Sequence, residues 1–298
     1  MKTLSGVVCA TITPMRKNGE IDEESLRSLL NHLAGNGIDG IYPNGTNGEG
    51  ILLSARERRR AAEILVSENK GRMSVYIQCG SAATEEAVSH ARHSREIGAD
   101  GIGIMTPLFF HCDDQALSAY YDEILSAVPD FPAYIYNIPS HTRNDVTPGL
   151  LAQLMARHDN LRGIKYSDYN LPRAQDYLRQ APRPADLLVG CDSLFLQCLM
   201  TGGVGTVSGP AMVFAKRFVR LYRQYRERDF EGAMETQRRI VDTDRALSGI
   251  PSIPAIKAML KMLGVIKEDI CRGPLRPLTA EEYGAAEKVL NAYCREEG

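Results

Sequence analysis

The sequence predicts a (β/α)8 barrel followed by a helical extension. Short apolar runs alternate with segments of helical period, and no linker-like stretch separates the 298 residues into two halves. A short step also recurs: Gly37-Ile38-Asp39-Gly40-Ile41 returns as Gly98-Ala99-Asp100-Gly101-Ile102, with a looser echo at Gly202-Gly203-Val204-Gly205-Thr206. Each copy reads as helix stop, turn and strand entry. A left-handed glycine ends the helix, and the strand that follows enters the sheet as its next parallel member. A doubly wound open sheet would need a phosphate fingerprint after its first strand, and Thr11-Ile12-Thr13-Pro14 offers none.

In chain order, the predicted strands are Gly6 to Ile12, Gly40 to Pro43, Ser74 to Cys79, Gly101 to Met105, Ala133 to Tyr136, Arg162 to Lys165, Leu187 to Val189 and Gly205 to Val207. Between the first two lies a helix, Glu23 to Ala34, with Leu26, Leu29, Leu30 and Leu33 on one face behind the capping residue Asp22. Ser54 and Glu57 form a capping box ahead of the basic run Arg56 to Arg60, which reads as a solvated helix face. Thr147 before Pro148 is another start signal. After the eighth strand come about three helical segments between Phe214 and the C-terminus, one of them opened by the Thr279 to Glu282 capping box. The reading is a barrel core at 1–213 and, in the same structural unit, a last barrel helix and extension at 214–298.

Composition excludes several functions. At 44% hydrophobic residues the chain can bury a large core. A net charge of -2, with both signs spread along the chain, provides no field for nucleic acid or an anionic membrane surface. Seven cysteines, with no C-x-x-C pair, read as free thiols of a reducing compartment. The histidines lack an H-E-x-x-H pattern, and His90 and His93 have no third ligand, so no metal is expected. The N-terminus enters a strand-like segment without an apolar signal region, and no run reaches membrane-spanning length, so a cytoplasmic protein is expected.

The chemistry gathers at strand ends, where barrels of this type build their sites. Lys165 ends the apolar run Leu161 to Ile164. A lysine there either points into water or stands at the inner end of a buried strand. In the second case lost hydration lowers its pKa, and a neutral amine can attack a ketone to form a Schiff base. Gly45-Thr46-Asn47-Gly48-Glu49-Gly50, after the second strand, reads either as a tight turn or as a nest of donors suited to a carboxylate. Tyr136, past the fifth strand, is opposite the position expected for Lys165 and is either a packed aromatic or a proton shuttle. Gly190-Cys191-Asp192 and Val207-Ser208-Gly209-Pro210 lie at the ends of strands seven and eight.

Gly45-Thr46-Asn47-Gly48-Glu49, Tyr136-Asn137-Ile138-Pro139 and Gly163-Ile164-Lys165, in this order and spacing, resemble the dihydrodipicolinate synthase and N-acetylneuraminate lyase family over nearly the whole chain. The resemblance implies a homotetramer, a dimer of dimers, that needs no metal or organic cofactor because a lysine forms an imine with pyruvate or another 2-oxo acid. Carried over, Lys165 is the Schiff-base residue, Tyr136 the proton relay, and Thr46 and Asn47, with Gly45, the cradle for the substrate carboxylate. Gly190, Val207 and Ser208 join them as substrate-contacting positions.

Departures from the family pattern bear on the substrate. Phe109 stands where the family places a relay tyrosine donated by a neighbouring subunit, and phenylalanine passes no proton; water, His111 or His141 would take that step, or the reaction needs it less. His141 stands where synthases hold an arginine for the aldehyde's carboxylate, and neutral imidazole binds a carboxylate more weakly than a guanidinium does. Ala82 and Leu108 replace the polar and phenolic groups of lysine-inhibited synthases. Ser167 resembles the hydroxyl residue of sugar-acid aldolases in this family. Asp192 matches an aspartate that contacts substrate hydroxyls, although Ser193 replaces the acidic residue that normally follows. These residues point to aldol cleavage or condensation of a 2-keto-3-deoxy sugar acid or N-acetylneuraminate-type substrate. The alternatives are a 4-hydroxy-tetrahydrodipicolinate synthase, a 2-keto-3-deoxy acid dehydratase and an inactive 2-oxo acid binding protein.

Overall fold

The computed structural model describes residues 2–297. Eight strands close in sequence order into a parallel barrel: β1 (Gly6–Cys9), β2 (Gly40–Ile41), β3 (Ser74–Gln78), β4 (Gly101–Met105), β5 (Ala133–Asn137), β6 (Leu161–Tyr166), β7 (Asp186–Val189) and β8 (Gly205–Ser208). All eight predicted strands are present. Their ends differ by a few residues, most at β1, which stops at Cys9 where the apolar pattern alone ran on to Ile12. Helices α1 (Glu23–Gly35), α2 (Ala55–Asn69), α3 (Thr84–Glu96), α4 (Asp114–Ala127), α5 (Pro139–Thr142), α6 (Pro148–Arg157), α7 (Leu171–Gln180) and α8 (Phe195–Met200) occupy the crossovers. Among the described residues, no helix is long and apolar enough to cross a membrane.

The recurring step has a physical basis beyond its glycines. Gly37 and Gly98 take positive φ, 77° and 81°, as the turn after a helix requires. The aspartates then tie each entering strand to the one before it. Asp39 Oδ2 accepts the Val7 N–H at 2.8 Å, while the Asp39 N–H donates to the Val7 carbonyl at 2.9 Å. Asp100 repeats both bonds on Val75, each at 2.9 Å. In each case the N–H of the strand's second residue is thus satisfied by the turn that leads into the next strand.

Packing gathers the chain into two compact units. One compact unit takes the residues up to Gly6 together with Ser74–Val207, and the other takes Val7–Met73 with the residues from Ser208 onward. The first unit has its core in fully buried strand residues such as Ile102, Ile104, Ile135, Leu187 and Leu188. In the second, the apolar face of α1 (Leu26, Leu29, Leu30 and Leu33) is wholly buried, as its period requires. Asp22 caps that helix by accepting the Ser25 N–H, and both halves of the Ser54 and Glu57 capping box are formed on α2.

After β8 come four helices, not about three: α9 (Ala215–Arg226), α10 (Phe230–Ala246), α11 (Ser252–Met262) and α12 (Ala280–Glu297). The break between α9 and α10 is hidden in an unbroken polar helical pattern. Arg228 reverses the chain at φ 63°, and the Asp229 side chain caps the next helix by accepting the Gly232 N–H at 3.0 Å.

The capping box predicted at Thr279 is present: the Thr279 N–H donates to Glu282 at 2.8 Å, and the Glu282 N–H donates to the Thr279 hydroxyl at 3.2 Å. Arg276 adds two guanidinium bonds to the same carboxylate, at 2.7 and 2.6 Å. The Arg276 bonds, then the Thr279 N–H, hold the Glu282 carboxyl at about 2, below its ordinary 4.5. A depressed folded pKa means that the carboxylate stabilises the fold fully above about pH 4.5 and loses that contribution as pH falls toward 2. Acid unfolding of Glu282→Gln should accordingly show a shallower loss of stability across this interval than the parent chain, with the difference shrinking in high salt.

Candidate active site

In β6 every residue is buried except Arg162, so the strand carries Lys165 into the interior. Its register pairs Lys165 with Tyr136 of β5 and Leu188 of β7. Lys165 is 3% exposed, and its Nζ stands 3.7 Å from the centroid of the Tyr136 ring. Burial drives the amine's pKa below the ordinary lysine value, because the ammonium has lost its water. Tyr136, then Asp192 and Cys191, push the other way.

Tyr136 is held by its neighbour. Asn137 points away from the strand and fixes the end of β5, donating to Asp145 at 2.9 Å and to the Tyr177 hydroxyl at 3.0 Å while accepting the Val146 N–H at 3.2 Å. Gly190 leaves room for a second strand-end group. A Cβ there would strike the Ser167 hydroxyl and lie 3.4 Å from Lys165 Cε, so the Ser167 side chain sits beside the lysine stem. Asp192 is buried as the first residue of a single 3-10 turn, and Cys191 before it is half-buried. Lys165, Tyr136, Ser167, Gly190 and Asp192 are therefore neighbours.

In the second unit, the loop after β2 is folded on itself. Asn44 and Glu49 take positive φ, 62° and 56°, and the Gly50 N–H donates to the Gly45 carbonyl at 3.1 Å. Gly45 is buried, whereas Thr46 and Asn47 are half-buried. Asn47 lies against Gly209, just past β8. The Ser208 hydroxyl accepts the Ala211 N–H at 3.0 Å, and Val207 is buried. Beneath the loop, the Glu49 carboxylate forms an ion pair with Lys257 of α11, both side chains completely buried. The same carboxylate accepts the Arg272 N–H at 2.5 Å, and Lys257 Nζ donates to the Ile270 carbonyl at 2.6 Å. Sequence reasoning missed Lys257, although its signal matched that of Lys165: a lysine in an apolar run, Ile253-Pro254-Ala255-Ile256.

His141 differs from the buried cluster in its exposure. It is exposed on α5, with Nδ1 2.9 Å from the Ser140 hydroxyl, and His111 is exposed as well. Phe109 is 77% and Phe110 74% exposed, stacked edge to face at 5.0 Å. Asn144, also missed, staples this segment to the one after β5 through bonds to the Pro107 and Phe110 carbonyls, both 2.8 Å. Asparagine in a polar loop gives no sign of such a task.

A closed parallel barrel whose sixth strand carries, near its end, a dehydrated lysine over a tyrosine ring defines a lyase of the class I aldolase type. The chain belongs to the dihydrodipicolinate synthetase family, whose profile matches residues 3–293. It is similar to an uncharacterized DapA-like lyase of Halobacterium salinarum, at 34% identity over 96% of this chain and 93% of the relative. Among solved structures it resembles dihydrodipicolinate synthase from Aquifex aeolicus, at 30% identity and a TM-score of 0.93 with 98% of each chain covered. It also resembles CdNal from Clostridium difficile in complex with mannosamine, at 26% identity and a TM-score of 0.92 over 98% of this chain and 100% of the other.

Removing one partner of the ion pair under the loop strands the other charge in the interior. Lys257→Ala should therefore destabilise the protein by about 3–5 kcal/mol in urea unfolding, well beyond the ~1 kcal/mol of an exposed pair such as Arg60 with Glu23.

Proposed function

We propose that this chain is a Schiff-base aldolase or lyase acting on pyruvate or a related 2-oxo acid, without metal or organic cofactor. The observation that carries the reading is the amine of Lys165, buried and lowered in pKa against the Tyr136 ring. Neutral Nζ adds to the keto carbon, and the carbinolamine loses water to give an iminium, with Tyr136 as the group that moves the proton. In the cleavage direction the electron pair of the bond between C3 and C4 flows into the iminium. The Tyr136 oxygen, having given its proton to the departing water, takes the proton of the C4 hydroxyl as the aldehyde leaves and returns it to C3 of the enamine, and hydrolysis returns the amine and pyruvate. Condensation runs the same steps backward.

Every strand of a closed parallel barrel sends its carboxyl end to one face, which supports assigning residues after β2, β5, β6, β7 and β8 to one site. Thr46 and Asn47, with Gly45, take the 2-oxo acid carboxylate; Val207, Ser208 and Gly190 line the same end. Ser167 and Asp192 supply hydrogen bonds to substrate hydroxyls, and His141 meets the far end of the substrate. The Ser167 hydroxyl beside the lysine stem favours a hydroxylated sugar acid, of the 2-keto-3-deoxy or N-acetylneuraminate type. The likeness to the Aquifex synthase favours a second reading, condensation of pyruvate with aspartate semialdehyde to 4-hydroxy-tetrahydrodipicolinate. A 2-keto-3-deoxy acid dehydratase would use the same iminium. The assembly belonging to this reading is a homotetramer.

Borohydride reduction in the presence of pyruvate should fix one pyruvate-derived adduct on Lys165, and Lys165→Met should abolish it; an unlabelled Lys165 sinks the reading. Because burial lowers the amine's pKa, trapping should rise through an inflection below pH 10.5, the ordinary lysine value. Steady-state assays should then give turnover on a sugar acid. Turnover with aspartate semialdehyde alone would select the synthase instead, and an adduct without any turnover would leave a binding protein.

A further inference from the structure

Gly209 follows β8 with a helical backbone, φ −77° and ψ −54°. Any L-residue adopts those angles, so glycine is not needed there for conformational freedom. What the position lacks is a Cβ, and the space is already filled. A Cβ on Gly209 would stand 2.8 Å from Asn47 Oδ1, 2.9 Å from Asn47 Nδ2 and 3.0 Å from Asn47 Cγ. Its three nearest atoms would all belong to one carboxamide. The other tight glycines of this region differ. A Cβ on Gly48 meets the backbone of Asn44 and Thr11 at 3.0 Å, and one on Gly50 collides with the Asn44 backbone, so these two let main chains approach each other.

We infer that Gly209 is a positioning residue for 2-oxo acid binding. By presenting no side chain, it lets the Asn47 carboxamide lie flat against the strand-eight turn in the orientation from which Nδ2 donates to the substrate carboxylate. This rests on the reading of Asn47 as part of the carboxylate cradle. A carboxamide has one donating end and one accepting end, and a carboxylate only accepts. Orientation therefore decides whether Asn47 binds or repels. A methyl group at residue 209 displaces a flexible side chain, not main chain, so the fold tolerates it while the donor is lost. Ser208 on the one side and Pro210 on the other belong to β8 and its following turn, which makes the surface behind Asn47 a fixed one.

The test compares the wild-type chain, Gly209→Ala, Asn47→Ala and the double variant. Each is read by thermal unfolding and by the pyruvate concentration that gives half-maximal borohydride trapping at Lys165. Gly209→Ala should unfold with the wild type yet need about ten to a hundred times more pyruvate, the effect of one lost hydrogen bond to a charged group, with trapping at saturation unchanged. In the Asn47→Ala background the same substitution should change nothing, since the group it displaces is gone. A crystal structure of Gly209→Ala should show the carboxamide swung away. An unaltered pyruvate requirement overturns the inference, as does a requirement that rises equally in both backgrounds. A loss of stability that persists in the double variant also overturns it, because the collision would then lie in the main chain. If wild-type Lys165 forms no adduct at all, the reading of the site falls and this inference falls with it; an adduct with normal concentration dependence in Gly209→Ala removes this inference alone.

Discussion

An amine kept out of water is the constraint on which the rest of this structure depends. Lys165 reaches that condition because β6 is buried except at Arg162 and because the neighbouring strand β5 places the Tyr136 ring across its Nζ. Dehydration raises the free energy of the ammonium more than that of the neutral amine, and on the proposed reading this difference equips the residue to attack a carbonyl. Lys257 shows the other fate of a buried lysine. It is as deeply enclosed, yet a carboxylate and a carbonyl grip it, and its task is to hold a loop in place. Burial alone does not make a lysine reactive; the groups that face it decide.

The scaffold around this amine is held by polar side chains that satisfy backbone groups. Asp39 and Asp100 join successive strands through the same pair of bonds, and Asn137 and Asn144 fasten the segments after β4 and β5. Asn137 and Asn144 are buried and Asp100 is half-buried, where an unmet donor or acceptor costs roughly 1–3 kcal/mol, so register and loop path are fixed together. The loop after β2 is fixed in another manner: Glu49, in a left-handed conformation, sends its carboxylate down to Lys257 and the Arg272 N–H. Residues far along the chain thereby set the conformation of Thr46 and Asn47.

Substrate choice, on the proposed reading, comes down to small differences in space. Gly190 leaves room for the Ser167 hydroxyl beside the lysine stem, and Gly209 leaves room for the Asn47 carboxamide. Neither glycine has a positive φ among those of the chain, so each serves through the atom it omits. Phe109, exposed on its loop, carries no hydroxyl into the chemistry, which leaves Tyr136 as the phenol assigned to proton movement.

The sequence by itself determined the eight strands, their order, the helix caps at Asp22, Ser54, Thr147 and Thr279, and the identity of Lys165 and Tyr136 as candidates. These are local matters: apolar period, capping chemistry and a charged residue out of place within a few neighbours. The α9–α10 break was not legible, because a positive φ at Arg228 has no mark in a polar run. The tasks of Asp39 and Asp100, the staple at Asn144, the ion pair of Glu49 with Lys257 and the filled space over Gly209 were decided only by tertiary structure. Each depends on atoms distant in sequence meeting within a few ångströms, and side-chain type does not encode a partner's distance. Even Lys165 had two readings until the fold took the water away from it.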